Sequence, residues 1–117
     1  MSVPLVERLR ATLREAMVAR DRDLVAALRN TLGAIDNATS RGVEAPRAGA
    51  IEASATGLAA SDVPRSELTD ADIEAVVASE ISDRDLAAAE LEVHGQTDAA
   101  RTMREATARL MAATRPE

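Results

Sequence analysis

Leu5, Leu9, Leu13, Ala16 and Met17 fall on one side of a helix advancing about 100° per residue, and Glu7, Arg10 and Arg14 fall on the other. This spacing predicts a first helix from Pro4 to Arg20, with Ser2 as its cap and Pro4 in its first turn. The segment Ala19 to Asp23 breaks the stripe, and Asp21 or Asp23 is placed to cap a second helix. That helix carries Leu24, Leu28, Leu32 and Ile35 on one face and is expected to stop near Ser40-Arg41-Gly42, with Gly42 as a left-handed terminator. Two amphipathic helices with so short a joint predict an antiparallel hairpin over residues 4–41.

Residues 43–66 are rich in Ala, Ser, Gly and Pro and sustain no stripe. So long a stretch predicts a flexible insert, or one hiding a short helix between Ile51 and Leu58. Thr69 followed three residues later by Asp72 has the form of a capping box, and the acids that follow suit a helix N-terminus. The third stripe is Ile73, Val76, Val77, Ile81, Ala88 and Leu91, ending at His94 before Gly95. A fourth helix is expected from Thr97 or Asp98 to Ala113, burying Ala99, Met103, Ala106 and Leu110. Residues 69–113 therefore form a second hairpin, and the 117 residues read as one all-α, four-helix bundle-like domain of two antiparallel hairpins.

Composition narrows what such a domain can do. There is no Phe, Tyr or Trp, so the core is built from Leu, Ile, Val, Met and Ala, and each contact buries modest area. No apolar run approaches the ~20 residues that cross a bilayer, and nothing reads as a signal peptide. With no cysteine the expectation is a cytoplasmic protein without a membrane partner. The net charge of -6 is unevenly spread: residues 1–47 carry eight Arg against six acids, and between 66 and 95 Arg84 faces nine acids. Only the first half can offer phosphate groups a basic surface.

The chain contains no Lys and no Cys, which excludes a phosphate-loop lysine, a Schiff base, a Ser-Ser-Lys amidase arrangement and thiol chemistry. His94, the only imidazole, sits at a helix end and builds no triad or metal pair. No catalytic residue and no cofactor site is therefore assigned. Glu80 and Arg84 attract attention because both lie within about 20° of the middle of the third apolar stripe. Either they form an interhelical salt bridge, or they line a cleft between the hairpins and meet a ligand there. On the second helix Arg29 and Asp36 recur seven residues apart, with Asn30 and Asn37 beside them and Gly33 between. Gly33 costs about 1 kcal/mol in a helix interior. The face carrying Arg29, Gly33 and Asn37 is thus either a solvated surface or a groove for a further helix.

The segments EAMVARDRDLVAALRNTLGAIDNA, SELTDADIEAVVASEISDR and HGQTDAAR, in this order and spacing, resemble the GatB/YqeY-like family. Glu15, Ala16, Met17, Ala19, Arg20 and Asp21 match its first segment, and Leu28, Arg29, Ala34, Ile35, Asn37 and Ala38 its second helix. Leu68, Thr69, Asp70, Glu80, Ile81 and Arg84 match its third, and Gly95 and Asp98 the joint that follows. The resemblance covers nearly the whole chain outside the insert and implies the first, N-terminal helical lobe of that family. It further implies association with tRNA-dependent amidotransferases, carbon-nitrogen ligases that use glutamine as amido-N-donor. In that setting this chain is expected to be a non-catalytic module that binds tRNA through the 1–47 hairpin or binds an amidotransferase-like protein. The alternative is a protein-interaction domain without a nucleic-acid role. Asp36 stands where the family has a basic residue, which lowers the positive potential of this face.

Overall fold

The computed structural model describes the backbone of residues 3–50 and 68–116, and the side chains of these residues except 41–50. Four helices, α1 (Leu5–Val18), α2 (Arg22–Ala50), α3 (Asp70–Val93) and α4 (Thr97–Thr114), account for nearly all of it, and no strand occurs among the described residues. Each helix touches the other three, with α1 against α2 and α3 against α4 as the most extensive pairings. The arrangement is a helical bundle made from two hairpins.

Both hairpins turn through three residues in the same way. At the end of α1 the Arg20 N–H donates to the Met17 carbonyl at 3.1 Å and the Asp21 N–H to Ala16 at 2.9 Å. After α3 the Gly95 N–H donates to Glu92 at 3.0 Å and the Gln96 N–H to Leu91 at 2.8 Å. These paired bonds define the Schellman stop, which requires a left-handed residue in its centre. Arg20 occupies that conformation at φ 58° and Gly95 at φ 78°.

The expected capping box at α3 is present: the Asp72 N–H donates to Thr69 Oγ1 at 3.1 Å and the Thr69 N–H donates back to Asp72 Oδ2 at 3.0 Å. Thr69's backbone N–H, and after it its side chain, hold the Asp72 carboxyl below its ordinary value. Asp21 caps α2, accepting from the Leu24 N–H at 3.4 Å, and it also pairs with Arg109 of α4. Pro4 is the N-cap of α1 instead of its first helical residue; Ser2 lies outside the described residues.

The core is centred on Leu9 of α1, Leu28 of α2 and Leu110 of α4, each fully buried, with Ala16, Leu24, Ala27, Ile35 and Val77 around them. Ile73, Val76 and Ile81 pack against this cluster from α3. Two threonines join the interior. Thr31 and Thr107 can be buried because each hydroxyl donates to the carbonyl four residues earlier, Ala27 and Met103, at 2.8 Å, so neither hydroxyl is stranded.

Three expectations need correction. The second helix does not end at Gly42 but continues through Pro46 to Ala50, carrying with it the first residues of the expected insert. A single glycine weakens a helix by about 1 kcal/mol without stopping it, and a stop needs the left-handed turn that Gly95 adopts. The rest of that insert, including 51–58, lies outside the described residues. Met17 is 48% exposed instead of buried, because the chain leaves the bundle at the first joint just beyond it. On α4 Ala100 is buried and Ala99 exposed, a one-residue difference in an alanine-rich helix where the apolar stripe is broad.

Candidate functional site

Arg22, Val25, Ala26 and Arg29 follow the i, i+3, i+4, i+7 spacing, so the first two turns of α2 present them on one face. The left-handed turn at Arg20 folds the end of α1 back against this face, and Met17, Arg20, Arg22, Val25, Ala26 and Arg29 together line an open pocket. Its apolar part is Met17, Val25 and Ala26, and its charged residues are Arg20, Arg22 and Arg29. Arg29 Nη2 lies 3.9 Å from the Met17 sulfur, a weak contact between the two chain segments.

No carboxylate lines this pocket. Among the described residues, the ion pairs within 4.0 Å are made by Arg101, Arg104 and Arg109, all on α4, and none by Arg20, Arg22 or Arg29. The lining therefore carries three arginines, none of which is held in an ion pair among the described residues. An anion entering the pocket meets planar, fork-shaped donors suited to phosphate or carboxylate oxygens. A left-handed non-glycine residue at the rim costs of order 1–2 kcal/mol.

The sequence-predicted residues do not converge on one point. Arg29 belongs to the arginine pocket. Asn37 is exposed further along α2. Gly33 is partly buried, and a Cβ built on it meets nothing within 4 Å, so no described residue packs closely enough to demand a glycine. Glu80 and Arg84, both half-buried on α3, form no ion pair within 4.0 Å with each other. In place of a salt bridge there is a neutral partner from α4: Arg84 Nε donates to Thr107 Oγ1 at 3.0 Å, and the Thr107 hydroxyl in turn donates to the Met103 carbonyl at 2.8 Å. Arg84 thereby ties α3 to α4.

Arg20 and Arg22, which sequence reasoning did not single out, complete the pocket. Arg22 was legible as the residue seven before Arg29. Arg20 and Met17 were not, since only the reversal of the chain brings them to α2.

A second mixed cleft, between the start of α1, the start of α3 and the end of α4, is lined by Val3, Arg8, Asp70, Glu74, Ile81 and Thr114 among others. Arg8 spans it, with Nη1 on the Val3 carbonyl and Nη2 on the Thr114 carbonyl at 3.0 Å, while its Nε is buried without a partner. On α3 and α4, Arg104 reaches Glu92 at 3.0 Å and Asp85 at 3.9 Å. Its hydrogen bond, with its charge second, lowers the Glu92 pKa. His94 is exposed and serves the fold through its backbone at the end of α3. No group of three or more metal-ligating side chains occurs among the described residues, and no described helix is long and apolar enough to cross a membrane. No family model matches the chain, and comparison with curated proteins and with solved structures gives no match.

Proposed function

We infer that the chain is a non-catalytic helical binding module of the GatB/YqeY-like, N-terminal-lobe type, and that it holds tRNA at the arginine pocket in association with a tRNA-dependent amidotransferase. The observation that supports this reading is the convergence of Arg20, Arg22 and Arg29 on one pocket without a carboxylate in its lining. The sequence resemblance supplies the nucleic acid's identity. Phosphate oxygens are the ligand the guanidinium forks suit, and the apolar patch of Met17, Val25 and Ala26 gives a sugar or base edge a surface to lie on. The glutamine-dependent carbon-nitrogen ligase reaction belongs, on this reading, to the partner.

Electrophoretic mobility of bulk tRNA across a salt series tests it. Contact by three arginines with three phosphates predicts a slope of log K against log salt of about -3, and Arg29→Ala should reduce it by about one. Failure of micromolar protein to shift any tRNA at low salt ends the nucleic-acid reading.

Gly33 favours a second reading, a protein-interaction surface on the outer side of α2. Nothing described in the chain's own fold accounts for the glycine, whereas a partner helix approaching the backbone there does. Gly33→Ala then stabilises the free protein by about 1 kcal/mol and weakens capture of the partner.

A further inference from the structure

α3 has an apolar face and a second, uncharged face, and among the described residues only the first is covered. Ile73, Val76, Val77 and Ile81 face the core, while on the opposite side Ala71, Ala75, Ala78, Ser79, Ser82, Leu86, Ala89 and Val93 are all exposed. These eight lie within about 60° of a single line along the helix and include no charged residue. From Ala75 to Val93 the positions 75, 79, 82, 86, 89 and 93 alternate steps of four and three, which is the seam of a coiled coil. Leu86 at 67% and Val93 at 82% exposure are large side chains with nothing described against them. Such a seam runs about 27 Å at the helical rise.

Charge selects the occupant. Asp72, Asp83 and Glu90 border the seam on one side and Glu74, Asp85 and Glu92 on the other, all exposed. Arg104 engages Asp85 and Glu92, whereas no described arginine pairs with Asp83 or Glu90. A second copy docking by the same face would bring six carboxylates against six. We propose that the outer face of α3 is a docking seam for one amphipathic helix of another protein, with apolar residues along its own seam and Lys or Arg at the flanking positions. Alanine and serine let the two helix axes approach closely, Leu86 and Val93 insert as knobs, and the partner's cations meet the bordering acids.

A synthetic helix of about 20 residues, with Leu at both seam positions of each heptad and Lys at the flanking positions, is the probe. Calorimetric titration into the full chain should show saturable binding, lost at least tenfold on Leu86→Asp. That change adds an anion, so attraction of a polycation by charge alone would increase. Replacing the flanking Lys by Glu in the peptide should abolish binding. Because Leu86 is exposed, the variant retains its helical circular dichroism and tests the surface, not the fold. The proposal is overturned if the Lys peptide fails to bind, if a scrambled peptide of equal composition binds as well, or if Leu86→Asp has no effect. It is equally overturned if sedimentation shows wild-type self-association that Leu86→Asp abolishes, since the seam then belongs to a second copy.

Discussion

At Ala19-Arg20-Asp21 and at His94-Gly95-Gln96 the chain reverses through the same two main-chain hydrogen bonds, yet the left-handed residue is an arginine in one joint and a glycine in the other. Glycine adopts that conformation without steric cost, and arginine does not. The second joint follows the chemistry a turn prefers. The first accepts strain and in return places Arg20 in the lining of a pocket that Arg22 and Arg29 also line. Strain of this kind persists where the surrounding structure fixes it and is concentrated at functional positions. The hairpins differ in charge in the same sense: the acidic α3–α4 pair satisfies Arg101, Arg104 and Arg109 internally or against Asp21, and the α1–α2 pair leaves its joint arginines for something else.

The comparison presumes that the hairpins share one core, and the largest test addresses that. Leu28→Ala and Leu110→Ala each remove a fully buried side chain, and each should cost about 2–5 kcal/mol. Urea unfolding followed by circular dichroism should show one transition shifted in both variants. A second phase appearing in only one of them would separate the hairpins.

Exchanging the joint residues sharpens the contrast. Gly95→Arg is expected to destabilise by about 1–2 kcal/mol. Arg20→Gly is expected to stabilise by about 0.5–1 kcal/mol, after allowance for the extra freedom glycine gains in the unfolded chain, while weakening the tRNA shift. A destabilised Arg20→Gly would mean that the arginine serves the fold. Thr69→Ala, which opens the capping box of α3, should cost about 1 kcal/mol in the same assay.

The smallest effect is a pH dependence confined to the second hairpin. Asp72 and Glu92 both have lowered folded-state pKa values, so their contribution is present above the ordinary carboxylate range and is lost as the pH falls through the folded values. Arg104→Ala should therefore lower the urea midpoint slightly at neutral pH. Its difference from wild type should close in acid.

What was legible in the sequence was local. Thr69-x-x-Asp72 and Gly95 bound α3 through contacts within a few residues, and Leu24, Leu28 and Ile35 follow from helical spacing alone. Gly42 misled because a terminator is defined by the conformation it adopts, not by the residue type. Arg84 was marked as anomalous within an apolar stripe, but its partner Thr107 lies 23 residues away on a helix whose register decides the contact. Of the arginine pocket only Arg29 is singled out by the sequence, and Arg22 lies seven residues before it on the same helical face. The remainder depends on Arg20, where nothing in the residue type announces a left-handed turn.

The three-residue joints also bear on how the molecule assembles. Within each hairpin the contacting residues are near in sequence, and such contacts close early and cheaply in loop entropy. Among the described residues, the contacts between the two hairpins are those that span residues 51–67. Doubling a connection of this kind adds only about 0.6 kcal/mol of closure entropy. The hairpin is therefore the unit in which this fold can be cut and rejoined: 1–50 and 68–117, made as separate pieces, carry complementary halves of one core and should recover it on mixing.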